Sequence, residues 1–192
     1  MSTATNLGAR LPAFLNDLAL LAMLLVIAAI LTTAMTLQYA YGELPCPLCL
    51  LQRAAMFGIC FGIILHFRHG YSVRNTGLSL LFALFLLIVS VRQTLLDIYP
   101  RPGHSYIGSA VLGLHMPVWS ILIALAILLA FAIKLAVLGG GEQLRDARPA
   151  PLVGGLAAAL TLYVIALCAI NFVSVILQCG LGECHTFGYK LL

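Results

Sequence analysis

Long runs of apolar residues, separated by short polar segments, dominate this chain. Four of the runs reach the ~20 residues needed to cross a hydrocarbon core of about 30 Å. They lie at 18–38, 77–98, 118–138 and 152–177. A fifth run, 48–67, contains Gln52 and Arg53 near its start. The pattern predicts five membrane-spanning helices.

Composition supports the same interpretation, since 62% of the 192 residues are hydrophobic and 8% are charged. A mean hydropathy of +1.09 exceeds what a water-soluble domain requires. The chain is therefore predicted to be an integral membrane protein. The first run is longer than the 7–15 residues typical of a signal peptide, and no A-x-A site follows it. It is interpreted as a retained helix.

The basic residues are distributed unevenly about the predicted spans. One side holds Arg10, Arg68, Arg74, Lys134, Arg145 and Arg148. The other side holds Arg101 and Lys190. Because Lys and Arg favour cytoplasmic loops, the N-terminus is predicted to be cytoplasmic and the C-terminus to lie outside. The net charge of +4 reflects this topology and does not indicate nucleic-acid binding.

The predicted fold class is an all-α integral membrane protein, with a four-helix bundle followed by a fifth transmembrane helix. The bundle takes 1–138, a glycine- and proline-containing cytoplasmic linker takes 139–151, and the fifth helix with a cysteine-bearing tail takes 152–192. Gly58 and Gly62 indicate close helix packing, either within the bundle or in a dimer. The loop from Tyr99 to Pro117 is predicted to lie on the outer membrane surface as a lid.

The chemistry of the chain centres on Cys46 and Cys49, a CxxC pair at the mouth of the second span. Proline is favoured in the first turn of a helix, so Pro47 predicts that Cys46 is the N-cap. A helix N-terminus favours thiolate, the form that attacks disulfides. Gln52 and Arg53 follow Cys49 by three and four residues, which predicts one shared helix face with Arg53 about 6 Å deeper. Alternatively, Arg53 snorkels to lipid phosphate or bonds a neighbouring carbonyl.

A second cysteine pair, Cys179 and Cys184, lies just beyond the fifth span on the same predicted side. The loop between them is short and contains two glycines, so a disulfide there stabilises the fold little by chain entropy. Such an exposed bridge is interpreted as a thiol-disulfide exchange site, with a purely structural bridge as the alternative.

As an alternative, the four cysteines predicted on the outer side could bind zinc, with His104, His115 and His185 as further ligands. Cys60 and Cys168 lie mid-span and are interpreted as packing residues. Near the outer end of the third span, Arg92, Gln93 and Asp97 are predicted to satisfy one another rather than to act catalytically.

These residues resemble the DsbB family, membrane enzymes that reoxidise a periplasmic thiol oxidase and pass its electrons to a quinone. The resemblance is carried by Cys46-Pro47-Leu48-Cys49 with Arg53 following, and by the segment from Gly113 to Trp119. It covers roughly residues 17–138. It implies a bacterial inner-membrane location, a periplasmic DsbA-like partner of thioredoxin fold, and ubiquinone or menaquinone as electron acceptor.

The resemblance also implies roles for individual residues. Cys46 and Cys49 would cycle between disulfide and dithiol, with Cys49 facing the quinone. Arg53 would hold a quinone oxygen or stabilise a charged intermediate between sulfur and quinone, and Met116 matches a residue near the quinone. Two further candidates for the quinone site, Gln52 and His115, stand where well-known members carry acids.

This chain differs from the family in its second cysteine pair. Members that oxidise DsbA carry that pair in the loop between the third and fourth helices, yet 99–117 contains no cysteine. The chain thus resembles a five-helix branch in which Cys179 and Cys184 act instead.

Two other functions stay open: a non-enzymatic membrane protein with structural or zinc-binding cysteines, and a quinone reductase similar to vitamin K epoxide reductase. Arg53 one turn after the CxxC pair favours the DsbB-like function over the latter.

Overall fold

The described part of the chain forms five long helices, which confirms the predicted all-α membrane fold. The structure is a computed structural model that describes residues 4–99, 110, 111, 113–139, 149–180, 184 and 189. The helices are α1 (Ala4–Ala40), α2 (Pro47–His69), α3 (Val73–Ile98), α4 (Met116–Leu138) and α5 (Pro151–Cys179). Each is long and apolar enough to cross a membrane, α1 over Leu11–Ala40.

Proline marks where three of the helices begin. α2, α4 and α5 all carry proline in their first two positions, where the missing N–H would lack an intrahelical partner in any case. The residue that caps the C-terminus of α2 is Gly70, whose φ of 82° suits a residue without a Cβ. The backbone N–H of Gly70 donates to the carbonyl of His66. Local sequence thus determines these helix ends.

All five helices contribute to one hydrophobic core. Its fully buried members include Leu24 of α1, Ile59 of α2, Leu86 of α3, Phe131 of α4 and Val164 of α5. α2 packs along α3, α3 packs along α4, and α5 contacts both α1 and α2. α5 therefore shares the core with the first four helices.

The GxxxG pair of α2 faces α3. A Cβ added to Gly58 would collide with the ring of Phe82, and one added to Gly62 would collide with Ser79 and lie 2.8 Å from the carbonyl oxygen of Asn75. Ser79 also donates a hydrogen bond of 3.2 Å to the carbonyl of Ile59. The close-packing interpretation within the bundle is confirmed, and α3 occupies the face that the dimer alternative would need.

Most of the predicted outer lid, and residues 140–148 of the linker, lie outside the described residues. Within the described part, β1 (Ala110–Val111) pairs antiparallel with β2 (Leu114–His115), with Ala110 opposite His115. Gly113 in the connecting turn has a φ of 79°, a value that favours glycine. The lid itself stays a prediction.

Buried polar residues cluster at both ends of the bundle. We call the end where α2 and α4 begin the cysteine end. At the opposite end, His66 Nε2 lies 3.4 Å from a carboxylate oxygen of Asp17, and the Tyr71 hydroxyl donates to the carbonyl of Gly139 at 3.0 Å. The Lys134 ammonium lies 4.8 Å from the centre of the Tyr71 ring. These contacts join α1 to α2, and the α2–α3 connection to α4, at the end of the bundle opposite the CxxC pair.

Candidate redox site

Cys46 and Cys49 form a disulfide at the N-terminus of α2, with their Cα atoms 5.0 Å apart. Cys46 is the N-cap residue, as its flanking prolines predicted, and the backbone N–H of Cys49 donates to Cys46 Sγ at 3.1 Å. Cys46 is buried and Cys49 is half-buried. A helix N-terminus stabilises negative charge, so this position favours the thiolate that reduction of the disulfide releases.

Gln93 of α3 contacts both sulfurs of this disulfide. Its side-chain Nε2 lies 3.4 Å from Cys46 Sγ and 3.5 Å from Cys49 Sγ, and the residue is buried. A disulfide sulfur carries no proton and can only accept, so the amide must present its NH2 group to the sulfurs. The same NH2 group is placed to donate to a thiolate, with which the hydrogen bond would be stronger.

A chain of hydrogen bonds orients Gln93, and we call Ser120, Gln52 and Gln93 the amide relay. Because Gln93 turns its NH2 toward sulfur, its oxygen faces Gln52, whose Nε2 donates to it at 3.0 Å. The oxygen of Gln52 in turn accepts from the Ser120 hydroxyl at 3.4 Å. All three residues are buried. The relay links α4, α2 and α3 and holds the donor of Gln93 against the sulfurs.

Arg53 points away from the amide relay toward α1 and α5. Its Nη1 donates to Gln38 Oε1 at 2.6 Å and to Asn171 Oδ1 at 3.3 Å, and its Nη2 donates to the carbonyl of Ala34 at 3.0 Å. The thioether of Met35 lies 3.3 Å from Nη1. We call Arg53 and these four partners the Arg53 cluster.

The sequence placed Gln52 and Arg53 on a single face with Cys49, and the structure separates their contacts. Consecutive helical residues differ by about 100° around the axis, so one side chain reaches α3 and α4 while the other reaches α1 and α5. Within the described residues, Arg53 makes no hydrogen bond to either cysteine. The alternative of a bond to a neighbouring carbonyl is observed at Ala34.

The second disulfide joins Cys179, the last residue of α5, to Cys184, with Cα atoms 4.3 Å apart. The residue before Cys179, Gln178, donates from Nε2 to the carbonyl of Pro45 at 2.8 Å. Pro45 directly precedes Cys46, so this bond connects the chain segments of the two disulfides. Both pairs lie at the cysteine end of the bundle, on the same side as the sequence predicted.

Met116 and His115 lie at the start of α4. Met116 is the first helical residue and is half-buried, and its carbonyl accepts from Ser120 at 3.2 Å, so it adjoins the amide relay. His115 is the N-cap residue of α4 and is exposed. The structure brings Met116 to the edge of the site and leaves His115 at its surface.

Sequence reasoning missed several residues of the site. Gln93 was interpreted as a partner of Arg92 and Asp97, whereas its amide contacts the sulfurs. The role of α5 was also missed. The missed polar residues recur at helical spacing of three and four, namely Ser90 and Gln93 on α3, and Asn171, Ser174 and Gln178 on α5. Polar side chains inside spans face the bundle interior, so this spacing was the available signal.

The four cysteines of the two pairs are engaged in disulfides, and Cys60 and Cys168 are free thiols. Within the part of the chain that the structure describes, no group of three or more His, Cys, Asp or Glu residues is arranged to hold a metal ion. Two of the histidines considered for zinc, His104 and His185, lie outside the described residues. The sulfur arrangement suits redox exchange better than zinc ligation, since zinc requires free thiolates.

Comparison with known proteins gives two matches. The profile of the family "disulfide bond formation protein DsbB" matches residues 16–105. A disulfide bond formation protein B of Aromatoleum aromaticum is 35% identical over 92 residues, which is 46% of this chain and 55% of that protein. The chain thus spans about half the length of that curated relative. No solved structure matches significantly. The family match contains Cys46, Cys49, Arg53 and Gln93 and ends before α4.

Proposed function

Because this chain belongs to the DsbB family by its match over residues 16–105, we propose that it is a membrane thiol-disulfide oxidoreductase. Its electron donor is a periplasmic DsbA-like protein of thioredoxin fold, and its electron acceptor is a membrane quinone. The observation that carries the proposal is the Cys46–Cys49 disulfide at a helix N-terminus, with the Gln93 amide directed at both sulfurs.

The electrons enter through the tail disulfide. A thiolate of the reduced partner attacks the Cys179–Cys184 bond, and its second thiol resolves the mixed disulfide, so the partner is oxidised as Cys179 and Cys184 become thiols. One of these then attacks the Cys46–Cys49 bond, which transfers the two electrons and restores the tail disulfide. The bond between Gln178 and the Pro45 carbonyl supports this order because it holds the two cysteine segments together.

Residues near Cys49 fit a quinone. A bound quinone supplies an acceptor of two electrons and two protons, which the Cys46–Cys49 dithiol gives up as its disulfide reforms. A quinone carbonyl accepts hydrogen bonds from N–H and O–H groups. Arg53 and Gln93 offer such N–H groups, and the Ser90 hydroxyl, one turn deeper than Gln93, is buried without a hydrogen-bond partner among the described residues. Gln52, Met116 and His115 complete the candidate surroundings.

The proposed setting is the bacterial inner membrane, with the cysteine end facing the periplasm. Arg68 in the last turn of α2 and Arg74 in the first turn of α3 lie at the opposite end, and the positive-inside preference favours a cytoplasmic location for such charges. An odd number of spans then leaves the N-terminus in the cytoplasm and the tail outside. In this setting the 1–138 region forms the DsbB-like unit, and 152–192 supplies the additional cysteine pair.

Anaerobic mixing of the purified, reduced protein with a soluble quinone tests the quinone step. We expect each fully reduced chain to reduce two equivalents of quinone, one from the Cys46–Cys49 dithiol and one from the tail dithiol that passes its electrons through Cys46–Cys49. The reaction should be lost in Cys49→Ser and slowed in Arg53→Ala, with Cys168→Ser as a control that leaves the rate unchanged. If the wild-type protein leaves the quinone oxidised, the quinone step is wrong.

Oxidation of a thioredoxin-fold dithiol protein tests the tail separately. Cys179→Ser and Cys184→Ser should each abolish oxidation of that partner while direct quinone reduction by the reduced CxxC pair continues. Full-rate oxidation of the partner by both variants would show that the tail pair is dispensable, and the partner's electrons would then enter directly at Cys46–Cys49.

A further inference from the structure

The Arg53 guanidinium is held inside the bundle by neutral groups. The residue is 8% exposed, and its partners are two side-chain amide oxygens, a backbone carbonyl and a thioether. None of these four groups carries a negative charge. Burying a cation is costly, and acceptors without charge offset the loss of hydration while leaving the net charge in place.

α5 supplies a large part of this arrangement. The Asn171 side-chain oxygen accepts a hydrogen bond from Arg53 directly, and the Ser174 hydroxyl oxygen accepts one of 2.6 Å from Gln38 Nε2. Since Gln38 must direct its oxygen at Arg53, its NH2 group faces α5, where Ser174 meets it. α5 lies entirely beyond the residues that match the family, so this contact lies outside the region of the family match.

We propose that α5 is part of the redox site and that Asn171 is a positioning residue, which holds the Arg53 guanidinium through a neutral oxygen. The positive charge of Arg53 thus stays uncompensated, one helical turn from Cys49. The charge is then available to a Cys49 thiolate or to the developing negative charge on a bound quinone oxygen. The inference rests on the proposed function, because it assigns a task to α5 within that same site.

A carboxylate at position 171 separates this role from simple packing. Asn171→Asp has nearly the same volume and still offers Arg53 an oxygen acceptor, so a packing role predicts an unchanged or higher Tm and an unchanged reaction. The proposal predicts that the new charge cancels that of Arg53. Quinone reduction should then slow roughly ten-fold, mostly in kcat.

The thiol equilibrium provides a readout that needs no quinone. Arg53 stabilises the thiolate of the reduced CxxC pair, so cancelling its charge should shift the Cys46–Cys49 equilibrium with glutathione toward the disulfide by roughly ten-fold. The pH midpoint for alkylation of the reduced pair should rise with it. Asn16→Asp, which introduces the same carboxylate at the opposite end of the bundle, is the matched control and should leave the glutathione equilibrium unchanged.

Gln38→Glu repeats the test from α1, in case the Asn171 variant fails to fold. If either folded variant keeps the wild-type glutathione equilibrium and quinone rate, the charge of Arg53 is not used and the inference is overturned. If instead the wild-type Cys46–Cys49 pair neither exchanges with glutathione nor reduces quinone, the proposed function fails. The two failures are therefore distinguishable.

Discussion

The side chains of Gln52 and Gln93 form a 3.0 Å hydrogen bond between α2 and α3, with Gln52 as the donor. Because the oxygen of the Gln93 amide accepts this bond, the NH2 group of the same amide points toward the Cys46–Cys49 sulfurs. Two neutral amides thereby provide a fixed donor at the point where negative charge appears when the disulfide opens. Fixed dipoles of this kind stabilise charge without reorganising.

Removing the amide of Gln93 should slow reduction of the Cys46–Cys49 disulfide. A hydrogen bond to a charged group is worth about 1.5–3 kcal/mol, so Gln93→Leu should lower the rate of reduction by dithiothreitol by roughly 10- to 100-fold. Gln93→Glu should be slower still, since it replaces the donor with a like charge. The control is Arg92→Ala, a change at the neighbouring exposed residue. If dithiothreitol reduced the disulfide equally fast in Gln93→Leu and in Arg92→Ala, the prediction would be contradicted.

Breaking the bond between Gln178 and Pro45 should impair transfer between the two disulfides. Gln178→Leu removes a donor worth about 1 kcal/mol, so oxidation of a dithiol partner should slow roughly five-fold while direct quinone reduction keeps its rate. Stopped-flow measurement of both reactions on one preparation checks this. Ile176→Val, a conservative change at an exposed position of α5, serves as the control. A parallel loss of both rates would indicate general damage to the bundle instead.

Adding a methyl group at Gly62 should destabilise the packing of α2 against α3. The new Cβ would collide with Ser79 and press on the backbone carbonyl of Asn75, which moves only if α3 moves, so Gly62→Ala should cost about 1–3 kcal/mol. Gly77→Ala is the matched control because a Cβ there meets no heavy atom within 4 Å. Thermal unfolding in detergent should show a lower Tm for the first variant and an unchanged or higher Tm for the second.

Tyr71 should contribute stability that disappears at alkaline pH. Burial raises the pKa of its phenol above the ordinary value of 10.0, so in that pH range the unfolded chain binds fewer protons than the folded one. The contribution is therefore complete below pH 10 and is lost as the pH rises toward the folded-state pKa. Tyr71→Phe removes both this titration and the 3.0 Å bond to Gly139, while its ring remains beside Lys134.

We expect the wild-type protein to be more stable than Tyr71→Phe by about 1 kcal/mol at neutral pH, and this difference to shrink above pH 10. Unfolding curves measured at several pH values provide the comparison. Tyr99→Phe applies the same chemical change to a residue that is 86% exposed and should leave stability unchanged. A difference that stays constant at alkaline pH would contradict the assignment.

The sequence by itself determined the elements of this protein and the position of its CxxC pair. The five helices follow from apolar runs compared with the thickness of a bilayer, and the N-cap role of Cys46 follows from its neighbouring prolines. The packing role of Gly58 and Gly62 was also predictable. Each of these properties depends on residues within about one helix, so it is readable without knowledge of the neighbours.

Only the tertiary structure decided which side chains meet around the sulfurs. That Gln93 faces Cys46, and that Asn171 faces Arg53 across more than a hundred residues of sequence, depends on how each helix is rotated and which helix lies next to it. In a membrane nearly all surfaces are apolar, so hydropathy carries little information about rotation. Helix partners and rotation are instead set by packing and by the pairing of a few buried polar groups, which involves all the helices together.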